Sequence, residues 1–183
     1  DVGKRHGFKA LRLAPSDPNI VYAGMCFTFI VINYQRRNDP SYGVYVSRDG
    51  GQTWQEKNNG LRDSSALNIH DIVVHPERPG TAYVATHDGG VFMTTDFGET
   101  WIQRIDGFVP RPPNLSVRAL AIDPRNPERI FAGIEDAGIY VSVDAGENWS
   151  DISLGMDPWA SIRSIAIYPK DPAIVIAGDW HAG

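Results

Sequence analysis

The eight residues SRDGGQTW at positions 47–54 occur again, with few changes, as TTDFGETW at 94–101 and as SVDAGENW at 142–149. Each copy places a hydroxyl and a carboxylate two residues apart, where both can accept backbone N–H bonds of a tight turn. A glycine follows where the turn needs a positive φ, and a tryptophan then anchors the turn by burying a large ring. The motif residues are Ser47, Asp49, Gly51, Trp54, Thr94, Asp96, Gly98, Trp101, Ser142, Asp144, Gly146 and Trp149.

A second repeated element, an apolar stretch that ends in proline, precedes each turn motif. Its four copies end at Pro15, Pro76, Pro124 and Pro169. The proline lies 20 residues before the motif aspartate in the second and third units and 34 before it in the first, so the first unit carries an insertion of 14 residues. Short β-rich segments separated by turn residues, repeated at a fixed period of about 20–50 residues, are typical of propeller blades.

The eight-residue turn resembles the Asp-box, S/T-x-D-x-G-x-T-W, of β-propellers such as sialidases, sortilin-type receptors, xyloglucan-cleaving glycosidases and the photosystem II assembly propeller. Asn148 replaces the threonine in the third copy. The resemblance implies an all-β fold, a β-propeller of four-stranded antiparallel blades. Because these families are mostly secreted, periplasmic or lumenal, it also implies such a location.

The chain is expected to form a single partial propeller domain over residues 1–183, because a blade alone cannot bury both of its faces. We expect three complete blades and the first half of a fourth, at about 8–60, 61–108, 109–155 and 156–183. This count predicts a portion of a longer propeller, whose remaining blades complete the ring. The alternative is a half propeller that closes by pairing with a second copy.

Composition narrows the function classes. The net charge of −5, with no basic block, argues against general nucleic-acid binding, and no apolar run approaches the roughly 20 residues of a membrane span. Cys26 is the only cysteine, which excludes an intrachain disulfide, and its apolar neighbours predict a small core residue. The pairs His87–Asp88 and Asp179–His181 lack close ligand spacing, so we expect no metal site and no cofactor.

Basic residues recur at one register position, six residues before each repeat proline, where the innermost strand of each blade begins. They are Lys9, His70, Arg118 and Arg163. At the mouth of the central channel, four such residues would focus positive potential on the axis and suit a carboxylate or phosphate. The alternative is that each one pairs with an acid of its own or of a neighbouring blade. Asp63, Asp71 and Asp106 lie nearby in sequence.

Acidic residues at equivalent turns suggest an enzymatic alternative. Asp88, Asp136 and Asp179, with Glu135 beside them, lie at or next to these turns of the second, third and fourth blades. Glycosidases use two carboxylates about 5–5.5 Å apart when retaining and about 6.5–9.5 Å apart when inverting. Acidic residues before glycine are also ordinary turn residues, and the chain supplies at most part of a sialidase arginine cluster.

The insertion of the first blade predicts a projecting hairpin on the same side as the channel mouth. Tyr34, Arg36 and Arg37 lie at its polar tip, which suits contact with a protein or glycan, although a solvated loop is the alternative. We therefore predict a non-catalytic scaffold that presents loops and a cationic mouth to a protein or an anionic ligand. The competing hypothesis is a fragment of a secreted glycoside hydrolase, xyloglucanase-like or sialidase-like, that acts on or binds polysaccharide.

Overall fold

A computed structural model describes residues 7–26, 42–61, 67–108 and 115–180. Within these ranges the chain forms β-strands and turns, and no helix. The strands are β1 (Gly7–Ala14), β2 (Asp17–Cys26), β3 (Gly43–Ser47), β4 (Gln55–Glu56), β5 (Ile69–Val74), β6 (Ala82–Thr86), β7 (Val91–Thr94), β8 (Ile102–Gln103), β9 (Val117–Ile122), β10 (Ile130–Ile134), β11 (Gly138–Ser142), β12 (Ser150–Asp151), β13 (Ile162–Ile167) and β14 (Val175–Asp179).

The strands form four antiparallel sheets in chain order. Three sheets have four strands, in the orders β1-β2-β3-β4, β5-β6-β7-β8 and β9-β10-β11-β12, and the fourth is the pair β13-β14. The predicted all-β fold of four-stranded antiparallel blades is confirmed. Because neighbouring strands run in opposite directions, the Asp-box turns after β3, β7 and β11 lie at the end of each blade opposite to the start of its first strand.

The core lies between successive sheets, where apolar side chains from two blades meet. One cluster joins Tyr22 and Val44 of the first sheet to Ile69 and Ile72 of the second. A second cluster joins the second and third sheets, and a smaller one joins the third sheet to the β13-β14 pair. The first strands carry apolar residues at both odd and even positions, because a sheet that lies between two neighbouring sheets is covered on both faces. Where no described blade covers β1, Leu11 and Leu13 are exposed.

The Asp-box turns are held by their own side chains. In the second copy the Thr94 hydroxyl accepts a bond from the Gly98 amide at 2.9 Å. Asp96 accepts bonds from the Thr100 amide at 3.0 Å and from its hydroxyl at 2.6 Å. The residue before the glycine also has a positive φ, 64° at Phe97, which the sequence motif does not require of a non-glycine residue.

The Asn148 departure leaves the third turn intact, because an amide can replace the missing hydroxyl. Asn148 donates its backbone N–H to Asp144 at 2.9 Å and its side-chain amide to the other carboxylate oxygen at 2.9 Å. The same three roles, hydroxyl acceptor, carboxylate acceptor and donor to that carboxylate, are therefore filled in all three copies. The motif is a structural turn, as its chemistry predicts.

The motif tryptophans connect blades as well as turns. Trp101 is 4% exposed and donates its indole N–H to the Lys57 carbonyl of the first blade at 2.9 Å, and Trp149 makes the same kind of bond to the second blade. Trp54 is 39% exposed and donates instead to Gly51 of its own turn. The expectation that each tryptophan buries its ring is therefore wrong for Trp54, because no described blade precedes the first one to cover this ring.

Candidate functional site

A β-bulge interrupts the first strand of every sheet at the position of the recurring basic residue. In β9, for example, Val117 pairs with Ile134 and Ala119 pairs with Gly133, so Arg118 has no partner on β10. The register shifts in the same way in the other three first strands. The bulged residues are Lys9, His70, Arg118 and Arg163. Because a bulge redirects a side chain and is common at barrel rims and active sites, this shared irregularity marks the start of the first strands, which we call the mouth, as a candidate site.

A second register position faces the bulged residues, and sequence analysis missed it. Each of its members lies 17 residues after the basic residue of its own blade, directly after or at the end of the second strand. They are Cys26, His87, Glu135 and Trp180. The constant spacing of 17 was a signal available in the sequence, but the four residue types differ so much that no pattern of chemistry draws attention to them.

In the third blade the two positions form an ion pair. The Arg118 guanidinium donates through one Nη to the Glu135 carboxylate at 2.5 Å and through the other to the His70 ring at 2.9 Å. The side chain of Arg118 is only 11% exposed. Its Nε is buried, and no described residue accepts a bond from it. One donor of this guanidinium is therefore unused in the part of the chain that the structure describes.

Burial keeps His70 uncharged. Burial of the ring is the largest cause that lowers the pKa of His70, to about 3, and the charges of Lys9 and Arg118 lower it further. The ring nitrogen Nδ1 lies 3.0 Å from the Val117 carbonyl, so Nδ1 carries the proton and Nε2 accepts from Arg118. His70 therefore orients Arg118 and adds no positive charge, which corrects the expectation that all four residues contribute charge.

Lys9 is an exposed cation of the site, as is Arg163. No described carboxylate lies within ion-pair distance of its ammonium. Partial burial is the main cause that lowers the pKa of Lys9, and Arg118 and Arg163 lower it further, against an opposing effect of the nearby Cys26 thiol. Three cationic side chains from the first, third and fourth blades thus lie close enough to repel one another.

Arg163 completes the cluster and contacts both neighbours. It donates to the second oxygen of Glu135 at 3.3 Å, and its guanidinium lies 4.7 Å from the centre of the Trp180 ring. Glu135 therefore bridges Arg118 and Arg163. Burial opposes ionisation of Glu135, but the hydrogen bond and charge of Arg118, with a hydrogen bond from the Ser116 side chain and the charge of Arg163, outweigh it and lower the pKa of this carboxyl.

The alternative of pairing with an acid of the same or a neighbouring blade is found for Arg118 and Arg163, which share Glu135. Asp71 attracts Lys9 by its charge but has other hydrogen-bond partners. Asp71 accepts instead from Arg12 at 2.7 Å and from the Leu120 amide at 3.0 Å, and so connects the first three blades. The Asp106 backbone carbonyl accepts a hydrogen bond from the Trp149 amide of the third blade. Asp63 lies outside the described residues, as do Tyr34, Arg36 and Arg37 of the insertion.

The candidate catalytic aspartates lie in three successive blades and have turn contacts. Asp179 accepts the Ser161 amide at 2.9 Å, and Asp136 has a φ of 57°, in the left-handed turn between β10 and β11. Asp88 lies 3.7 Å from the His87 ring in the corresponding turn of the second blade. Asp88 and Asp136 thus occupy the turns of their own blades, whereas Asp179 joins the end of β14 to Ser161, directly before β13.

The remaining predictions concern Cys26 and metals. Cys26 is half-buried at the mouth beside Lys9, so its assignment to the core is wrong, and burial raises the pKa of its thiol. Among the described residues no three His, Cys, Asp or Glu side chains form a group able to hold a metal ion. His181 lies outside those residues.

Comparison with known proteins identifies the repeat. The family model for sortilin, neurotensin receptor 3, matches residues 42–135, half of the chain. The chain belongs to the Sortilin-Vps10 family. The predicted relationship to Asp-box propellers is thus confirmed, and the matched residues include the first two Asp-boxes and the first two strands of the third blade.

Individual relatives of this Sortilin-Vps10 chain match about a third of it. Over 62 residues it is 37% identical to an oligoxyloglucan-reducing end-specific xyloglucanase of Emericella nidulans, and over 58 residues it is 40% identical to the vacuolar protein sorting/targeting protein 10 of the same fungus. Each match covers 32% of this chain. The matches cover only 8% and 4% of the two relatives, so the chain corresponds to a small part of either protein.

Solved structures share the fold over nearly the whole Sortilin-Vps10 chain. An ancestral GH74 enzyme superimposes with a TM-score of 0.70 at 19% identity, covering 93% of this chain and 21% of its own. The GH74 xyloglucanase of Xanthomonas campestris gives 0.66 at 16% identity, covering 94% and 27%. At these identities the likeness establishes a propeller fold shared with glycoside hydrolases. No helix long and apolar enough to cross a membrane occurs among the described residues.

Proposed function

We propose that this chain is a non-catalytic propeller module that binds an anionic ligand, or an acidic surface of a partner protein, at the channel mouth. The observation that carries the proposal is the β-bulge shared by all four first strands, which brings Lys9, Arg118 and Arg163 together. Each bulge removes a ladder hydrogen bond from its blade. The proposal accounts for the repetition of the bulge at one register, because the redirected cations together bind the anion.

Charge supports the same proposal. Among the described residues Arg118 and Arg163 share one carboxylate, Glu135, and Lys9 is attracted by Asp71 without an ion pair. The lowered pKa of Lys9 reflects burial and the repulsion of the two guanidiniums. A bound anion would relieve that repulsion, and would find a buried, unpartnered N–H on Arg118.

The test compares two double variants that remove equal charge from opposite ends of the channel. Arg118→Gln with Arg163→Gln removes two cations from the mouth. Arg125→Gln with Lys170→Gln removes two cations that follow the repeat prolines, at the other end of the first strands. Inorganic phosphate binding is measured by calorimetry at low and at physiological salt.

We expect the mouth variant to bind phosphate at least tenfold more weakly and to lose most of the salt dependence, since exposed charges are screened over about 8 Å at physiological ionic strength. The control variant should bind like the wild type. Circular dichroism verifies that both variants are folded. Equal affinities in the two variants would contradict the proposal.

A glycoside hydrolase fragment is the second candidate, favoured by the xyloglucanase relatives and by the GH74 folds. It predicts cleavage of xyloglucan oligosaccharides by the wild type, with loss of cleavage but not of binding in Asp88→Asn or Asp136→Asn. Our proposal expects no cleavage in any of these proteins. The same relatives support a secreted, periplasmic or lumenal location, which secretion of the full-length protein from its host would test.

A further inference from the structure

Glu135 is the one described acid of the channel mouth that contacts the cation cluster, and its position is fixed by the backbone. It follows β10 directly, and its amide donates to the Ser116 carbonyl at 3.0 Å, which ties the turn to the residue before β9. The carboxylate is only 25% exposed and lies between guanidiniums from two adjacent blades.

The two oxygens of Glu135 serve different blades. One accepts from Arg118 at 2.5 Å and the other from Arg163 at 3.3 Å. A carboxylate that gives one oxygen to each of two guanidiniums occupies the place where the anionic group of a ligand would make its strongest contacts. The chain thus holds an anion of its own in the site.

The second register position shows that this acid is not required by the fold. The residues at the positions equivalent to Glu135 are Cys26, His87 and Trp180. His87 lies at a ring-to-ring distance of 5.3 Å from the bulged residue of its own blade, His70, and Trp180 contacts Arg163, while Cys26 interacts electrostatically with Lys9. Blades of the same architecture therefore form with a thiol, an imidazole or an indole in this place.

We propose that Glu135 is a built-in competitor of the ligand, which holds Arg118 and Arg163 together and must be displaced before an anion can bind to both. The inference rests on the proposed function, because it concerns the same cluster. It assigns Glu135 as the residue that sets the affinity of the site. A weakly charged anion fails to displace it, while an anion with several charged oxygens succeeds, because Lys9 adds a third cation that Glu135 does not contact.

The experiment is phosphate binding to Glu135→Gln, measured by calorimetry beside the wild type. The amide keeps an acceptor for Arg118, so the turn and the guanidinium retain a hydrogen bond, while the mouth gains one positive charge. We expect at least tenfold tighter phosphate binding. Glu135→Asp is a second variant, in which the shorter carboxylate cannot reach both guanidiniums, and we expect it to bind about threefold more tightly than the wild type.

The matched control is Glu147→Gln. Glu147 also pairs with an arginine of the preceding blade, Arg104, at 2.9 Å, but it lies in the third Asp-box at the opposite end of the blade. The control changes the net charge equally and should leave phosphate binding unchanged. A melting temperature within a few degrees of the wild type verifies the fold of each variant.

The outcomes separate this inference from the proposed function. If the arginine double variant binds more weakly than the wild type but Glu135→Gln binds no more tightly, the competitor role is wrong and the anion site stands. If Glu135→Gln binds phosphate and the wild type does not, the inference is supported, since the acid then fills the site. If neither protein binds phosphate, both the site and its competitor are overturned.

Discussion

Replacing Trp101 by alanine should destabilise the chain far more than the same change at Trp54, although both occupy the same motif position. Trp101 is 4% exposed and bonds to the first blade through Lys57, whereas Trp54 is 39% exposed and bonds to its own turn. A buried tryptophan truncated to alanine costs about 3–5 kcal/mol through lost burial and a cavity. About 1 kcal/mol of this is the hydrogen bond to the Lys57 carbonyl.

At Trp54 solvent fills the space that the ring leaves, so no cavity forms and the cost should be about 1–2 kcal/mol. Urea unfolding measures the free energy of unfolding of both variants. Far-UV circular dichroism is the probe, because the substitutions themselves change tryptophan fluorescence. For a chain of this length about 2–4 °C of melting temperature corresponds to 1 kcal/mol, so Trp101→Ala should melt about 6–20 °C lower. Equal losses at the two positions would refute the conclusion that the tryptophan stabilises by joining blades.

Three further predictions concern the turns and the mouth. Asp96→Ala should cost about 1–3 kcal/mol in urea unfolding and leave phosphate affinity unchanged, because the turn lies at the far end of the blade; a lost affinity in a folded variant would contradict this. Hydrogen bonds from Thr53, with a smaller contribution from Ser47, lower the pKa of Asp49 to about 2 from 3.8. A carboxylate whose pKa is lowered by folding stabilises the folded state at pH values above its unfolded-state pKa, and this stabilisation is lost as the pH falls through the folded-state pKa. The urea midpoint should therefore fall between pH 4 and pH 2, and by less in Asp49→Asn. Nitrogen NMR should show the His70 ring neutral and protonated on Nδ1 at every pH above about 4, and titration near pH 6.5 would contradict the assignment.

The Asp-box turns were predictable because their chemistry is local. Hydroxyl, carboxylate and glycine act within eight residues, and every bond that they make is closed inside the motif. The blades followed from the spacing of the repeats for the same reason, since a four-stranded antiparallel sheet is built from neighbours in sequence. The exposure of Trp54 was not predictable from the motif, because it depends on what lies against the blade.

The candidate site was only half predictable. The recurring basic residues were visible at a constant spacing from the repeat prolines, but no residue pattern in the sequence indicates the bulges that redirect their side chains. The protonation of His70 depends on burial and on Arg118 of the next blade, two facts that only packing supplies. Glu135 was noticed as a neighbour of Asp136, whereas its contacts assign it to the cations.

The two ends of the blades differ in how strictly the repeats agree, and the proposed function accounts for this difference. At the Asp-box end the three copies keep the same bonds, even where Asn148 replaces a threonine, because every blade needs the same turn. At the channel mouth the bulge is kept in all four blades while the residue facing it changes from thiol to imidazole, carboxylate and indole. Under the proposed function, all four blades share the bulge that shapes the site, and each blade contributes a different residue opposite the bulge. Substitution at Glu135 should therefore change binding at little cost in stability, whereas substitution at Asp96 should do the reverse.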